Sequence, residues 1–307
     1  MAAQAEGRVA GRFRPRVLLA LLVLTWATSW PLIKIGVTTV PPIWYACFRY
    51  AIAAACLFAL VAARREAAFP PRADWAIVAV SGVLQMATYS ALTGFALTIL
   101  PPGRASVLAF STPIWVVPLA AWRLRERASP AALLGVGLGL SGALAIAAPN
   151  VHPALPDSAK PALAYGMLLG AAVSWAISIV AVRAHRFEAT PLALAPWQAL
   201  VAACLLLPVA LATEGLPRPV GISGAASLAF VGPIATAFAY WAVVEAGRHF
   251  KAGTLSMALL ATPPLGIALS ALALGETVGP SLIGGALLIA AGILLAARSG
   301  PSGAVRA

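Results

Sequence analysis

Two cations interrupt the apolar runs of this 307-residue chain, Lys34 near the end of the first run and Arg49 inside the second. Arg49 lies about seven residues into its run, so about 10 Å below the expected membrane surface at about 1.5 Å of rise per residue. A charge at that depth costs about 2.5–3.5 kcal/mol on insertion scales and must face the protein interior or find a partner. Arg49 can therefore bind an anionic group or tie down carbonyls of a neighbouring helix. Lys34 can do the first or reach outward to the lipid headgroups.

The residues around Lys34 read "LTWATSWPLIK", with Trp26 eight positions before the lysine; "VSWAISIVAVR" sets Trp175 eight positions before Arg183. Trp26 falls near mid-span, where anchoring at the membrane surface does not explain an indole. Trp30 lies one turn later, nearer the outer face. Each ring either packs between helices or lines a cavity. Pro31 removes a backbone donor and should bend the first helix.

Uncharged polar groups at mid-depth include Gln85, Tyr89, Thr112, Ser174, Ser178, Thr236, Tyr240, Ser256 and Thr262, with Trp241 beside Tyr240. Serine and threonine hydroxyls often bond back to their own helix, so each alone also has a structural explanation. Thr112-Pro113 and Thr262-Pro263-Pro264 set matching breaks in two spans. Paired breaks in corresponding helices point to a binding site in repeat-built transporters.

All nine acidic residues, among them Glu126, Glu214, Glu245 and Glu276, lie close to water, and the three histidines lie in connections. An intramembrane carboxylate relay for protons is therefore not expected. Enzyme signatures are missing: no GxxxxGK[ST], HExxH or GxSxG, and no Cys/His cluster. Cys47, Cys56 and Cys204 sit in apolar runs without metal-like spacing and read as small core residues. Neither enzymatic activity, nor a metal, nor a cofactor is expected.

The elements that position these residues follow from composition. The chain is 61% hydrophobic and 10% charged, with a mean hydropathy of +0.92. Soluble domains carry about 25% charged residues, so the expected solvent is a lipid bilayer. The net charge of +12 does not indicate nucleic acid, because the basic residues are scattered among short connections. Ten apolar runs, about 17–37, 42–62, 75–97, 104–122, 130–148, 162–183, 192–212, 222–244, 252–272 and 280–297, each approach the length of a span. Backbone groups in hydrocarbon must be paired within the segment, so the runs are helices. Arg8, Arg12, Arg14 and Arg16 before the first run resemble a signal-peptide start, but the run is long enough to span and lacks a small-residue cleavage site. It reads as an uncleaved first span.

With the N-terminus in the cytoplasm, 16 of the 21 basic residues fall in cytoplasmic segments and three in outside ones; Lys34 and Arg49 are the remainder. That bias supports ten spans with both termini cytoplasmic. The chain also repeats. At an offset of 149, Trp26 meets Trp175 and Pro42 meets Pro191; at 150, Thr112-Pro113 meets Thr262-Pro263, Glu126 meets Glu276, Gly135 meets Gly285 and Gly142 meets Gly292. Each copy has five helices, so the second enters the membrane from the opposite side. The expected fold is an all-α membrane protein of ten transmembrane helices in two inverted five-helix repeats, 17–148 and 162–297. Cytoplasmic tails, 1–16 and 298–307, flank them. The matched glycines predict close packing of the fifth and tenth helices.

The segments "WATSWPLIKIG...PPIWYACFRY", "STPIWVVPLAAWRLRERAS", "VSWAISIVAVR...PLALAPWQAL" and "ATPPLGIALSALALGET", in this order and duplication, resemble the EamA-type family of the drug/metabolite transporter superfamily over about 17–297. That resemblance implies a central cavity lined mainly by helices 1, 3, 4, 6, 8 and 9. It points to Trp26, Trp30, Gln85, Tyr89, Thr112, Trp175, Ser178, Tyr240, Trp241 and Thr262 as its walls. It also implies export of amino acids or other small metabolites across a bacterial inner membrane. Two alternatives stay open: a transporter of phosphorylated or other anionic metabolites that uses Lys34 and Arg49, and a lipid-flipping or scaffold membrane protein.

Overall fold

The structure is a computed structural model, and it describes residues 2–65, 69–125, 128–148, 159–250 and 258–298. Glu126, Ser256, the expected start of the ninth span at 252 and the tail beyond 298 lie outside them. Among the described residues all regular structure is helical. Nine helices are long and apolar enough to cross a membrane: α1 (Pro15–Thr39), α2 (Pro42–Ala63), α3 (Arg72–Ile99), α4 (Pro102–Arg123), α5 (Pro130–Ala147), α6 (Ala159–Ala184), α7 (Pro191–Glu214), α8 (Ile222–Ala246) and α10 (Pro280–Ala297). The shorter α9 (Thr262–Leu274) completes ten. Below, "outer" denotes the end that the basic-residue count assigns to the outside.

Prolines open α2, α4, α5, α7 and α10, where their missing N–H removes nothing from the ladder and their fixed φ suits a first turn. Ser129 and Thr190 cap α5 and α7, accepting from Ala132 N–H at 3.1 Å and Ala193 N–H at 3.2 Å. Helix α9 stops at Gly275, which takes the left-handed conformation (φ 66°) that a side chain would resist. The helix containing α1 continues through Pro31 without interruption and extends back to Ala2, so most of the expected N-terminal tail is a continuation of it. Helix α4 breaks at Phe110-Ser111, between Pro102–Ala109 and Thr112–Arg123. Its counterpart turn at Leu260-Ala261 precedes α9.

The two halves interlock. Helices α3 and α4 of the first half pack on α6 of the second, and α8 and α9 of the second pack on α1 of the first. Equivalent helices meet across the pseudo-two-fold, α2 against α7 and α5 against α10. The α5–α10 crossing displays the symmetry residue by residue. A Cβ on Gly142 would stand 2.6 Å from Gly285 O, and one on Gly285 the same 2.6 Å from Gly142 O. Gly135 and Gly292 stand in the same reciprocal relation. Residue i touching the partner of j while j touches the partner of i is what a two-fold requires. Because the pairs run antiparallel, the axis lies across the helices and the repeats are inverted.

Candidate functional site

Where the halves meet, two helices depart from α geometry at matching places. In α3 the segment Ser81–Thr88 is π-helical, and in α8 the segment Pro233–Phe238 is. In α8 the cause is local: Pro233 cannot donate, and Ala237 N–H reaches back five residues to Gly232 O at 3.1 Å. In α3 Tyr89 N–H reaches five residues back to Leu84 O, and Ser174 of α6 donates to that same carbonyl at 2.6 Å. The equivalent tie in the other half runs from Trp26 Nε1–H on α1 to Ala235 O in the α8 segment, at 3.2 Å. Single π turns inside α-helices recur at functional sites.

These segments face a central cavity walled by α1, α2, α3, α4, α6 and α8. Its apolar wall is a set of rings around Phe110. Trp26, Trp30 and Trp175 each hold a ring centroid 6.3 Å from Phe110, and Tyr89 packs edge-on against Trp175 at 5.1 Å. The free space accommodates water-sized spheres over about 80 Å³, room for about five to eight waters. Drug-sized sites occupy about 300–1,000 Å³, so a bound metabolite requires these walls to part.

The polar wall is sparse. Arg49 reaches from α2 and donates from Nε to Thr236 Oγ1 at 2.7 Å, while Thr236 donates onward to Val231 O at 2.7 Å. Its guanidinium carbon lies 5.3 Å from the centre of the Tyr50 ring. Among the described residues no carboxylate forms an ion pair with Arg49. Gln85 accepts from Ser178 at 3.3 Å through Oε1, and its amide turns toward the Tyr240 hydroxyl. The Tyr240 hydroxyl is buried in the wall and, among the described residues, lacks a well-formed hydrogen bond. A guanidinium, an amide and a hydroxyl thus stand beside a wall of rings, groups chemically able to meet an anion and an apolar body together.

Of the residues singled out from sequence, Trp26, Trp30, Arg49, Gln85, Tyr89, Trp175 and Tyr240 line the cavity, and Ser178 braces Gln85 from behind. The other four lie elsewhere. Lys34 does not line the cavity. Its Nζ caps the end of α3, donating to Leu97 O and to Leu100 O at 3.3 Å, as cations do at helix C-termini. Thr112 bonds back to Ala109 O at 2.9 Å. Thr262 is fully buried away from the cavity. Trp241 turns away to Phe238, with the Arg64 guanidinium 5.4 Å from its ring centre. Among the described residues α9 adds nothing to the wall, whereas α2 contributes Arg49 and Tyr50; Leu260, in the turn before α9, is the aliphatic counterpart of Phe110.

Sequence reasoning missed Phe110 and undervalued Thr236. The break signalled by Ser111-Thr112-Pro113 marked the first, since the residue just before a broken turn is free to point inward. Pro233, three residues before Thr236, marked the second.

Comparison with known proteins adds lineage. The EamA-like transporter family matches residues 15–148 and 162–298. A protein of Streptantibioticus cattleyicolor named "Probable terminal-alkyne amino-acid exporter" is 29% identical over 292 residues, covering 92% of this chain and 93% of its own. One of Ancylobacter novellus named "Aromatic amino acid exporter YddG" is 27% identical over 238 residues, 77% of this chain and 81% of its own. A solved crystal structure at 24% identity superposes with a TM-score of 0.64 over 95% of this chain and 99% of that one, a likeness of fold. The chain belongs to the EamA-like transporter family, and it is a multi-pass membrane protein.

Proposed function

We propose that this EamA-like transporter exports a small amphipathic metabolite, an amino acid with an apolar or aromatic side chain, by alternating access across a bacterial inner membrane, with both termini in the cytoplasm. The observation that carries the proposal is the pairing of Arg49, a cavity cation without a counter-charge, with the rings around Phe110. A substrate carboxylate completes the guanidinium bidentately, at a depth where an unpaired charge is costly. Its side chain stacks against Trp26, Trp30 and Trp175. The inverted halves supply two related conformations, one open to each side. The names of the two relatives given above, a probable terminal-alkyne amino-acid exporter and an aromatic amino acid exporter, point the same way.

The uncompensated Arg49 also suits a different anion, such as a phosphorylated metabolite. Lys34 gives that alternative no help, since its ammonium is committed to the carbonyls ending α3. The test is an export screen in cells overproducing the protein. Extracellular amino acids, or resistance to toxic amino-acid analogues, should rise with wild-type protein and stay at background with Arg49→Gln. Extracellular metabolites and resistance that do not change on overproduction would remove the export assignment.

A further inference from the structure

Helices α2 and α4 start alike, on Pro41-Pro42 and Pro101-Pro102, and neither has a side chain of its own capping its first turn. Both caps come from the opposite half. Glu214, the last residue of α7, accepts from Ile43 N–H and Trp44 N–H, each at 2.9 Å, and the Trp44 indole donates to Gly215 O at 3.0 Å. Glu276, just beyond α9, accepts from Gly103 N–H at 2.7 Å and Arg104 N–H at 3.3 Å. Carboxylate oxygens at a helix start satisfy orphan donors and meet the positive end of the dipole. Both contacts lie at the outer end. Between them a third seam joins the halves: Ser227 of α8 donates to Leu32 O of α1 at 2.6 Å and pairs with the Tyr45 hydroxyl of α2 at 2.7 Å.

The same chemistry runs the other way at the inner end. Asp74, at the start of α3, is fully buried. It accepts from Glu188 N–H at 3.2 Å and Ala189 N–H at 2.8 Å, just ahead of α7, and pairs with His185 Nε2 at 2.7 Å.

We propose that Glu214 and Glu276 form the outer gate, the second half's carboxylates holding α2 and α4 of the first half closed over the cavity until substrate leaves outward. The two latched helices carry Arg49 and Phe110, so releasing the caps moves the cation and the ring hub of the cavity together. A carboxylate cap near the water boundary suits repeated opening. When the helices part, water solvates the carboxylate and the freed N–H groups, whereas the same groups parted in hydrocarbon would stay unpaired. The gate rests on alternating access in the proposed exporter, but not on the identity of the substrate.

The experiment uses full-length protein with Cys47, Cys56 and Cys204 replaced by alanine and Ile33→Cys in the outer part of the cavity wall. A membrane-impermeant maleimide is applied from outside. Glu214→Ala with Glu276→Ala should raise the labelling rate at position 33 about tenfold. In a second arm, Gly103→Cys with Glu276→Cys, joined by a short thiol-cleavable bis-thiosulfonate, should drop labelling at position 33 to background until reductant is added. The same reagent on the protein with Ile33→Cys alone, which corrects for direct capping of the cysteine at position 33, should lower it much less. Unchanged labelling in the alanine pair at wild-type membrane levels, or undiminished labelling in the cross-linked protein, overturns the gate. If the alanine pair fails to reach the membrane, the cross-linked arm decides alone. Labelling needs no substrate, so a protein that labels as expected yet exports no amino acid keeps the gate and loses the substrate assignment.

Discussion

Arg49 and Thr236 join the two halves of the molecule at the cavity through one hydrogen bond, Nε to Oγ1 at 2.7 Å. The bond uses the inner edge of the guanidinium. No other hydrogen bond from it is formed among the described residues, so both terminal nitrogens are left for a ligand. Thr236 belongs to the π segment of α8, and the arginine therefore reports on the half that it does not belong to.

Thr236→Val keeps the shape of that side chain and removes the acceptor. Arg49 then loses its tether, and a hydrogen bond from a charged donor is worth about 1.5–3 kcal/mol. The expected outcome is a KM raised about tenfold or more, with maximal transport rate and membrane level little changed. Initial-rate uptake into inverted vesicles measures both.

Phe110 touches three of the cavity tryptophans, so Phe110→Ala should disorder the ring wall more than either Trp26→Ala or Trp175→Ala. Aromatic pairs contribute about 0.5–1.5 kcal/mol each beyond their area. Transport of an aromatic amino acid should fall at least tenfold in Phe110→Ala, and transport of a small one, such as alanine, should fall less. Competition between the two substrates in one vesicle preparation reads the difference.

The glycines of the α5–α10 crossing give a stability contrast. A leucine at Gly142 or Gly285 meets facing backbone at about the 2.6 Å already set by a bare Cβ, whereas Gly137 and Gly284 have open space around that position. Overpacking typically costs about 1–3 kcal/mol, and here a facing backbone carbonyl, which cannot swing aside, is part of each contact. Gly142→Leu and Gly285→Leu should lower the thermal midpoint in detergent by several degrees or prevent accumulation. Gly137→Leu and Gly284→Leu should match wild type.

The ten helices, their inversion and the glycine crossing were legible because each leaves a periodic or duplicated mark: apolar length, an odd helix count per copy, and matched glycines at an offset of 150. Trp26, Trp175 and Arg49 stood out because their chemistry is out of place in lipid. Phe110 did not, since a phenylalanine in an apolar run is what hydrocarbon favours, and its role comes from a broken turn that only the fold reveals. Lys34 carried the right charge for a site, but its long stem reaches the carbonyls of α3, a partner 63 residues away that no local pattern announces. Glu214 and Glu276 read as surface acids for the same reason. The donors they satisfy belong to the other repeat.

Glu276 also sets a pH response. Burial raises its carboxyl above the ordinary range, opposed by the Gly103 and Arg104 N–H groups and by the charges of Arg104 on α4 and Lys34 on α1. Tyr165 of α6 joins this cluster through Arg104. The closed gate therefore binds the proton more tightly than an open one in which Glu276 is solvated. By linkage, acid outside favours closure, and that preference is lost as the pH rises through the raised value. Relative to a freely exposed control cysteine, which corrects for the loss of thiolate in acid, labelling at position 33 should fall as outer pH falls, and Glu276→Gln should hold that ratio low and flat. Labelling of wild-type gate protein that rises on acidification would contradict the sign.

The central claim, a carboxylate held by Arg49 beside a wall of rings, is tested most directly by counterflow in proteoliposomes loaded with an aromatic amino acid. Accumulation of labelled substrate should be blocked by the free amino acid and not by its amide. It should be absent with Arg49→Gln and partly restored with Arg49→Lys, which keeps the charge but not the two-pronged geometry. Equal competition by the amide, or full counterflow with Arg49→Gln, would contradict it.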